Sequence, residues 1–294
     1  MTQKQPSVYG STDLSYNSYL KVPELLALQH PLSEPAHHDE LLFIVIHQAY
    51  ELWFKQILHE VEAARACMGE GRVLQAHHYL KRVAEIFRVL VQQIHILETM
   101  RPADFLEFRD RLNPASGFQS LQFRELEFLV GVKEERYLTH FQHRPEMLTA
   151  LRRRLAETDL RQEYYALLGR LGFEIPPETY RLETKLQPGL PSKSHESSAS
   201  DDAELARVRD GIMRVLLPIY REPEKNHPLY LLTESLVDLD QYLALWRDHH
   251  VRVVERVIGF KPGTGGSSGV GYLRMTTAKK AFPFLWEARG YLER

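Results

Sequence analysis

Three long stretches with the apolar spacing of a helix constrain this fold most. Residues 38–68, 74–100 and 229–258 contain no glycine or proline, and their apolar side chains recur every three to four positions. Shorter segments with the same period lie at 118–130 and 145–171, whereas alternating strand patterns are nearly absent. The sequence therefore predicts an all-α protein, a bundle of long helices.

Two segments interrupt this helical pattern. Residues 187–204 are rich in proline, serine and acidic residues and nearly devoid of apolar ones, which predicts a flexible loop. Residues 259–271 hold six of the 16 glycines, too many for a helix because each glycine costs about 1 kcal/mol relative to alanine. The helices on either side of 187–204 look like parts of one bundle, so we expect residues 1–294 to form a single domain.

Composition excludes several functional classes. The chain has 37 Lys plus Arg against 39 Asp plus Glu, a formal net charge of −2, which argues against a dedicated nucleic-acid-binding protein. One cysteine, Cys67, excludes an intrachain disulfide and a cysteine-based metal site. No apolar run reaches about 18 residues, and the N-terminus lacks the apolar core of a signal peptide. We therefore expect a cytoplasmic protein that binds neither nucleic acid nor membrane.

Two of the 14 histidines stand on apolar helix faces. His47 shares a face with Phe43 and Tyr50, which lie four residues before it and three after it. His250 stands where a seven-residue repeat would place an aliphatic residue, and burying an unpartnered imidazole costs about 1–3 kcal/mol. A satisfied core histidine and a metal or haem ligand both remain open. The run at 37–40 looks metal-binding, but acidic residues are also expected at a helix start.

An arginine and the glycine-rich loop offer further candidates. Arg109 lies among Phe105 and Phe108, where it either forms a surface salt bridge or faces a pocket for a carboxylate. The glycine-rich segment has neither a P-loop nor a dinucleotide motif. It is either a flexible connector or a loop that closes over a small ligand, with Thr264 offering a hydroxyl. Spacing alone thus indicates a haem or small-ligand protein.

Four segments closely resemble the tryptophan 2,3-dioxygenase family. They are SYNSYLKVPELLALQHPLSEPAHHDE at 15–40, FIVIHQAYELWFKQILHE at 43–60, LETMRPADFLEFRDRLNPASGFQSLQFR at 97–124 and LWRDHHVRVVERVIGFKPGTGGSSGVGYL at 245–273. The glycine-rich run is the most specific of these motifs. The resemblance implies an all-α haem dioxygenase that inserts both atoms of O2 across the indole C2–C3 bond of L-tryptophan. The product would be N-formyl-L-kynurenine, in the first step of tryptophan catabolism by the kynurenine route.

The resemblance also implies the cofactor and its ligands. Each subunit of a homotetramer would hold one haem b, with His250 as the proximal iron ligand. Ser116 and Gly117 would lie against the haem edge. His47 would be the catalytic distal histidine, which hydrogen-bonds the indole N–H without binding iron.

The implied substrate contacts come from two subunits. Within one subunit they are Phe43, Ile44, Val45, Ile46, His47, Phe105, Arg109 and Thr264. Arg109 would pair with the substrate carboxylate, and Thr264 would meet the amino-acid end. Phe105 stands where some bacterial members carry tyrosine, so one hydrogen bond to the carboxylate is expected to be missing. Tyr16, Tyr19 and Leu20, in an arm over about residues 1–22, would reach into the neighbouring subunit's pocket.

Two alternatives stay open at this point. One is a haem monooxygenase that inserts a single oxygen atom into an aromatic amino acid from the same pocket. The other is a non-catalytic sensor or scaffold that merely binds haem or tryptophan. The joint presence of His47, Arg109, His250 and Thr264 argues against a scaffold, which would not need them.

Overall fold

The computed structural model describes residues 14–186, 199–259, 261 and 269–292. These residues form helices and no strand, which confirms the predicted all-α class. The α-helices are α1 (Tyr16–Leu20), α2 (Val22–Leu26), α3 (His38–Gly69), α4 (Val73–Leu97), α5 (Pro102–Arg109), α6 (Leu121–Leu129), α7 (Pro145–Ala156), α8 (Leu160–Arg170), α9 (Thr179–Lys185), α10 (Ala199–Arg221), α11 (His227–Ile258), α12 (Val270–Thr277) and α13 (Pro283–Ala288). Short 3₁₀ helices lie at Asp110–Leu112, Gly117–Gln119, Glu135–Phe141 and Arg289–Tyr291. Among the described helices, none is long and apolar enough to cross a membrane.

The centre of the bundle is α4, which packs along both α3 and α11. Its buried face carries Leu80, Phe87 and Leu90, all fully enclosed, at the helical period that the sequence shows. The two partner helices are 32 residues each, longer than the 25 residues of α4. The functional candidates His47 and His250 lie on these two partners.

A buried ion-pair network fixes the rotation of α11 about its own axis relative to α6. Arg247, one turn before His250, donates to Glu127 of α6 at 2.6 Å, and Arg124 donates to the same carboxylate group. Lys279 pairs with Glu134 in the same region. Removing one partner of such a pair leaves an uncompensated buried charge, which typically costs about 3–5 kcal/mol. The network therefore sets the direction in which the last turns of α11 point.

The 145–171 pattern is interrupted where the sequence predicts continuous apolar spacing. Helix α7 ends at Ala156, and α8 begins at Leu160 after the N-cap Asp159. Asp159 and Gln162 form a reciprocal capping box, with both hydrogen bonds at 2.9 Å. A capping box satisfies two amide donors that a continuous helix would bond elsewhere, so it starts a new helix despite the uninterrupted period.

The loop prediction for 187–204 is wrong at its C-terminal end. Residues 199–204 form the first turns of α10, and residues 187–198 lie outside the described residues. Asp201 and Asp202 stand in the first turn of α10, where carboxylates interact favourably with the helix dipole. The acidic residues that suggested a solvated loop are therefore those that favour a helix start.

The glycine-rich segment breaks the helices as predicted wherever it is described. Gly259 ends α11 with φ +62°, and Gly269 precedes α12 with φ +65°. A side chain at either position would be strained, because L-residues rarely adopt positive φ. Residues 260 and 262–268, including the predicted site residue Thr264, lie outside the described residues.

Candidate functional site

His47 stands on α3 in a group of rings from α3, α5 and α11 that we call the cleft. Its members are Phe43, His47, Tyr50, Phe105, Trp246 and His250. The side chain of His47 is accessible, yet the protein around it desolvates the imidazole and lowers its pKa. The ring Nδ1 lies 2.7 Å from the carbonyl oxygen of Phe43. Because a carbonyl only accepts, Nδ1 donates, and the neutral ring presents Nε2 as an acceptor.

An aromatic wall from α3 and α5 continues from His47. The Phe43 ring lies 4.1 Å from the His47 ring and 5.7 Å from Phe105, measured between centroids. Phe108 completes the wall. Its ring centroid lies 5.3 Å from that of Phe105, and its side chain is fully buried. Arg109 follows at the end of α5, half-buried. The structure thus brings Phe43, His47 and Phe105 together and places Arg109 at the end of the same short helix.

His250 faces the same region from α11. Burial, together with the smaller effects of the charges of His47 and Arg124, lowers the pKa of its imidazole to about 4. An effect of His47 on His250 requires the two imidazoles to lie within electrostatic reach of each other. In the part of the chain that the structure describes, no group hydrogen-bonds either ring nitrogen of His250. It is therefore a neutral imidazole at pH 7 with its lone pair unused by these residues.

Two rings connect the histidines along one side of the cleft. Tyr50 meets His47 edge-on, with centroids 6.2 Å apart, and meets Trp246 in the same way at 6.0 Å. Trp246 lies parallel to the His250 ring, with centroids 5.5 Å apart. The Tyr50 hydroxyl and the Trp246 Nε1 are both buried and find no hydrogen-bond partner among the described residues. Such orphaned donors are rare in proteins and indicate an unfilled polar or ligand-binding environment.

Ser116 and Gly117 lie at a short 3₁₀ turn between α5 and α6. Ser116 caps the turn by accepting from the amide of Phe118 at 3.4 Å. A Cβ added to Gly117 would meet no atom within 4 Å, so open space lies beside this glycine. Phe118 stacks on His140 with centroids 5.5 Å apart. The structure shows open space beside Gly117. Contact of Ser116 and Gly117 with a cofactor stays a prediction.

The predicted substrate contacts Ile44, Val45 and Ile46 differ in their exposure. Ile46 is buried in the core, and its carbonyl accepts from Gln93 at 2.9 Å, while Val45 is exposed and Ile44 half-buried. Ile44 precedes His47 by three residues and so lies on the same side of α3, whereas Val45 precedes it by two and points away from it. Their contact with a substrate stays a prediction.

The aromatic residues of the N-terminal arm are exposed. Tyr16 and Tyr19 on α1 are 75% and 73% accessible, and Leu20 is 45% accessible. A reciprocal capping box between Ser15 and Ser18 holds the short helix. The base of the segment is tied to α3, because Gln48 donates to the carbonyl of Leu28 at 3.0 Å. An ordered helix with exposed tyrosines thus starts beside the helix that carries His47.

A group of three potential metal ligands is better explained as an ion-pair cluster. His37, Asp104 and Glu107 lie close enough to share an ion, but Arg101 already binds Asp104 at 2.6 and 3.0 Å. The His37 Nδ1 accepts from the Asp39 amide at the start of α3, so its Nε2 donates toward Glu107, 3.3 Å away. The expectation that the 37–40 run is a helix start is confirmed.

Sequence reasoning missed the contributions of Trp246 and Arg124. In the sequence, Trp246 looks like the other apolar residues of the α11 repeat. It nevertheless precedes His250 by one helical turn, a spacing at which side chains meet. Arg124 acts on His250 through its charge, from another helix. No local pattern reports such a long-range pairing.

Comparisons with known proteins point to one family. A family profile described as tryptophan 2,3-dioxygenase matches residues 1–170 and 184–292. Three relatives carry the name tryptophan 2,3-dioxygenase. The relative from Nocardioides sp. is 46% identical over 95% of both chains, and that from Caulobacter vibrioides is 44% identical over 94% of this chain and 98% of its own. The relative from Xanthomonas oryzae pv. oryzae is 41% identical over 97% of this chain and 91% of its own.

Proposed function

The chain belongs to the tryptophan 2,3-dioxygenase family, and we propose that it inserts both atoms of O2 across the indole C2–C3 bond of L-tryptophan. The product is N-formyl-L-kynurenine, which begins tryptophan breakdown by the kynurenine route. The observation that carries the proposal is the pair of imidazoles, His47 on α3 and His250 on α11, which the rings of Tyr50 and Trp246 connect. An uncharged His250 without a partner among the described residues is what a metal ligand requires.

The residues of the cleft suit haem b as the cofactor. His250 keeps its lone pair at pH 7 because burial lowers its pKa to about 4, and only a neutral imidazole ligates iron. Tyr50 and Trp246, whose polar groups find no partner among the described residues, contact His47 and His250, and open space lies beside Gly117. When bound, haem supplies the activation of O2, while the protein supplies orientation and electrostatics.

His47 recognises the indole in this proposal. Its Nδ1 is committed to the Phe43 carbonyl, so Nε2 accepts the indole N–H. The Phe43 and Phe105 rings, 5.7 Å apart, offer apolar faces against which an indole packs. An acceptor of this kind, fixed in one tautomer, discriminates against analogues that lack the N–H donor.

Arg109 holds the amino-acid end of the substrate. A guanidinium presents two parallel donors to a carboxylate, which fixes orientation as well as charge. It lies on α5 directly after the aromatic wall, so the carboxylate and the indole are bound at adjacent positions. Phe105 lacks a hydroxyl that could share this task, and Thr264 is the remaining candidate on the amino-acid side. Fixing the substrate at both ends removes much of the entropic cost of reaction.

The homotetramer completes the pocket. The exposed rings of Tyr16 and Tyr19 are the kind of amphipathic side chains that protein interfaces use. Since the base of their segment is anchored to α3, we propose that residues of the arm cover the cleft of a neighbouring subunit. The arm then excludes water from that cleft. The single cysteine, Cys67, is buried and free, which suits a reducing location such as the cytoplasm.

Isotopically labelled O2 tests the activity directly. The haem-loaded protein is reduced without oxygen, mixed with tryptophan and exposed to labelled O2. A product that gains two labelled oxygen atoms supports the proposal, one labelled atom indicates the monooxygenase, and no conversion indicates a binding protein. His250→Ala should lose the haem absorbance band. The matched control is His249→Ala, whose ring is bonded instead to the Leu245 carbonyl. A wild-type protein that takes up no haem would contradict the proposal.

A further inference from the structure

Trp246 and His250 form a parallel ring pair on one face of α11. The two ring planes differ by 5°, and their centroids are 5.5 Å apart, an offset-stacked arrangement. We propose that Trp246 is a positioning residue that sets the plane of the His250 imidazole for its role as a ligand. The inference rests on the proposed function, because it concerns how His250 is presented to haem.

No hydrogen bond restrains the imidazole plane among the residues that the structure describes. A ligating histidine almost always donates its second ring N–H to a carbonyl or carboxylate, which fixes the ring orientation. No described group accepts from His250, whereas its neighbour His249 is bonded to the Leu245 carbonyl at 2.9 Å. The χ2 torsion of histidine is broad when nothing holds it. Stacking on Trp246 is therefore the contact that selects one ring plane.

The indole is itself locked in place. Trp246 is only 8% exposed and lies 4.8 Å from the ring of Phe123, with Tyr50 and Phe54 meeting it edge-on. The adjacent Arg247 is pinned to Glu127. Because the indole of Trp246 is held rigidly, stacking on it can fix the orientation of the His250 ring, which a mobile indole could not do.

The choice of indole over a simpler ring also points to this role. The Trp246 Nε1 finds no partner among the described residues and belongs to the space assigned above to the cofactor, so the burial of this donor does not count against an indole at this position. The larger face of indole covers more of the imidazole than a phenyl ring does, which favours stacking as the reason for its presence.

Haem-loaded variants test the proposal without relying on activity. Trp246→Leu removes the stacking ring, and Trp246→Phe keeps a smaller one. Trp286→Phe is the control, because Trp286 is a half-buried tryptophan that bonds Asp240 and does not contact His250. If the leucine variant fails to fold, Trp246→Met replaces it, since methionine fills irregular space. The measurements are the low-spin electron paramagnetic resonance spectrum of the ferric protein with cyanide added as a second ligand, which reports the plane of the imidazole, and the rate of haem transfer to an acceptor protein.

The leucine variant should show broadened, shifted resonances, because the imidazole samples several planes. Its haem-loss rate should rise roughly 2- to 10-fold, the factor that an aromatic pair contributes. Trp246→Phe should fall between the leucine variant and the wild type, and Trp286→Phe should match the wild type. A leucine variant with the wild-type spectrum and rate would overturn the inference while leaving the proposed function intact. A wild-type protein without bound haem would instead overturn the proposed function, and this inference with it.

Discussion

Phe43 and His47 meet twice across one turn of α3. Their rings lie 4.1 Å apart, and the His47 Nδ1 lies 2.7 Å from the Phe43 carbonyl oxygen. The first contact limits the tilt of the imidazole, and the second determines its tautomer. Phe43 thus fixes both the orientation and the tautomer of the His47 imidazole, which is proposed to receive the indole N–H.

Replacing His47 should cost rate without removing the cofactor. We expect His47→Ala to keep its haem absorbance and to lose roughly tenfold in kcat/KM for tryptophan, because one hydrogen bond to the indole is lost. Tryptophan methylated at the indole nitrogen is the matched probe. It should be a poor substrate of the wild type and should lose little further in the variant. An equal loss for both substrates would contradict the role assigned to His47.

Replacing Arg109 should affect only substrates that carry a carboxylate. Arg109→Ala should raise KM for tryptophan roughly 10- to 100-fold, the usual value of a charged hydrogen-bonded contact. Arg109→Lys should recover part of this loss, because lysine supplies the charge without the two parallel donors. Binding of tryptamine, which lacks the carboxylate, should be unaffected. Arg111→Lys, on the exposed 3₁₀ turn that follows, serves as the control.

Phe105→Tyr should strengthen substrate binding. The added hydroxyl lies in the half-buried wall next to Arg109 and gains a hydrogen bond to the substrate carboxylate, which should lower KM roughly 2- to 10-fold. Phe108→Tyr is the matched control, since Phe108 is fully enclosed. Its hydroxyl would be buried without a partner and should lower the free energy of unfolding by about 1–3 kcal/mol. An unchanged KM in Phe105→Tyr would place the carboxylate elsewhere.

Complementation between subunits should reveal the shared pocket. A Tyr16→Ser, Tyr19→Ser double variant lacks the arm side chains, and Arg109→Ala lacks the carboxylate site. Each alone should have low activity. When the two are unfolded and refolded together, mixed oligomers should regain activity, because some pockets then combine an intact cleft with an intact arm. Mixtures no more active than the separate variants would show that the arm serves its own subunit or none.

Glu183 should make stability depend on pH in a defined direction. Burial raises the pKa of this carboxyl to about 7, against the opposing effects of Arg161 and two hydrogen bonds. Because the folded pKa lies above the ordinary value of 4.5, the folded state binds the proton more tightly. This contribution to stability is present below about pH 4.5 and is lost as the pH rises through about 7, up to about 3 kcal/mol in all.

Glu183→Gln should remove that slope. Relative to the wild type, its free energy of unfolding should improve steadily as the pH is raised from 5 to 8 in denaturant titrations. Glu178→Gln is the control, because Glu178 is exposed and pairs with Arg181 on the surface. Parallel pH profiles for Glu183→Gln and the wild type would show that the carboxyl is ionised throughout this range.

The local pattern of the chain was sufficient to predict its long helices and the histidines they carry. The segments at 38–68 and 229–258 became α3 and α11 within two residues at each end, because apolar spacing at the helical period depends only on neighbouring residues. The apolar period alone predicts one continuous helical pattern over 145–171. The capping box at Asp159 divides that pattern into two helices. Likewise, composition alone predicts a loop around residue 201, but the acidic residues there lie in the first turn of a helix.

By itself the sequence determined the all-α class, the helix faces of His47 and His250, and a specific resemblance to one enzyme family. Only the tertiary structure decided that the rings of Tyr50 and Trp246 connect these two imidazoles, that no described residue hydrogen-bonds His250, and that Trp246 lies flat against it. These relations join α3 and α11, which are far apart in the chain. Helical periodicity states which face a side chain occupies, but the burial that lowers the pKa of His250 exists only once the other helices have packed around it.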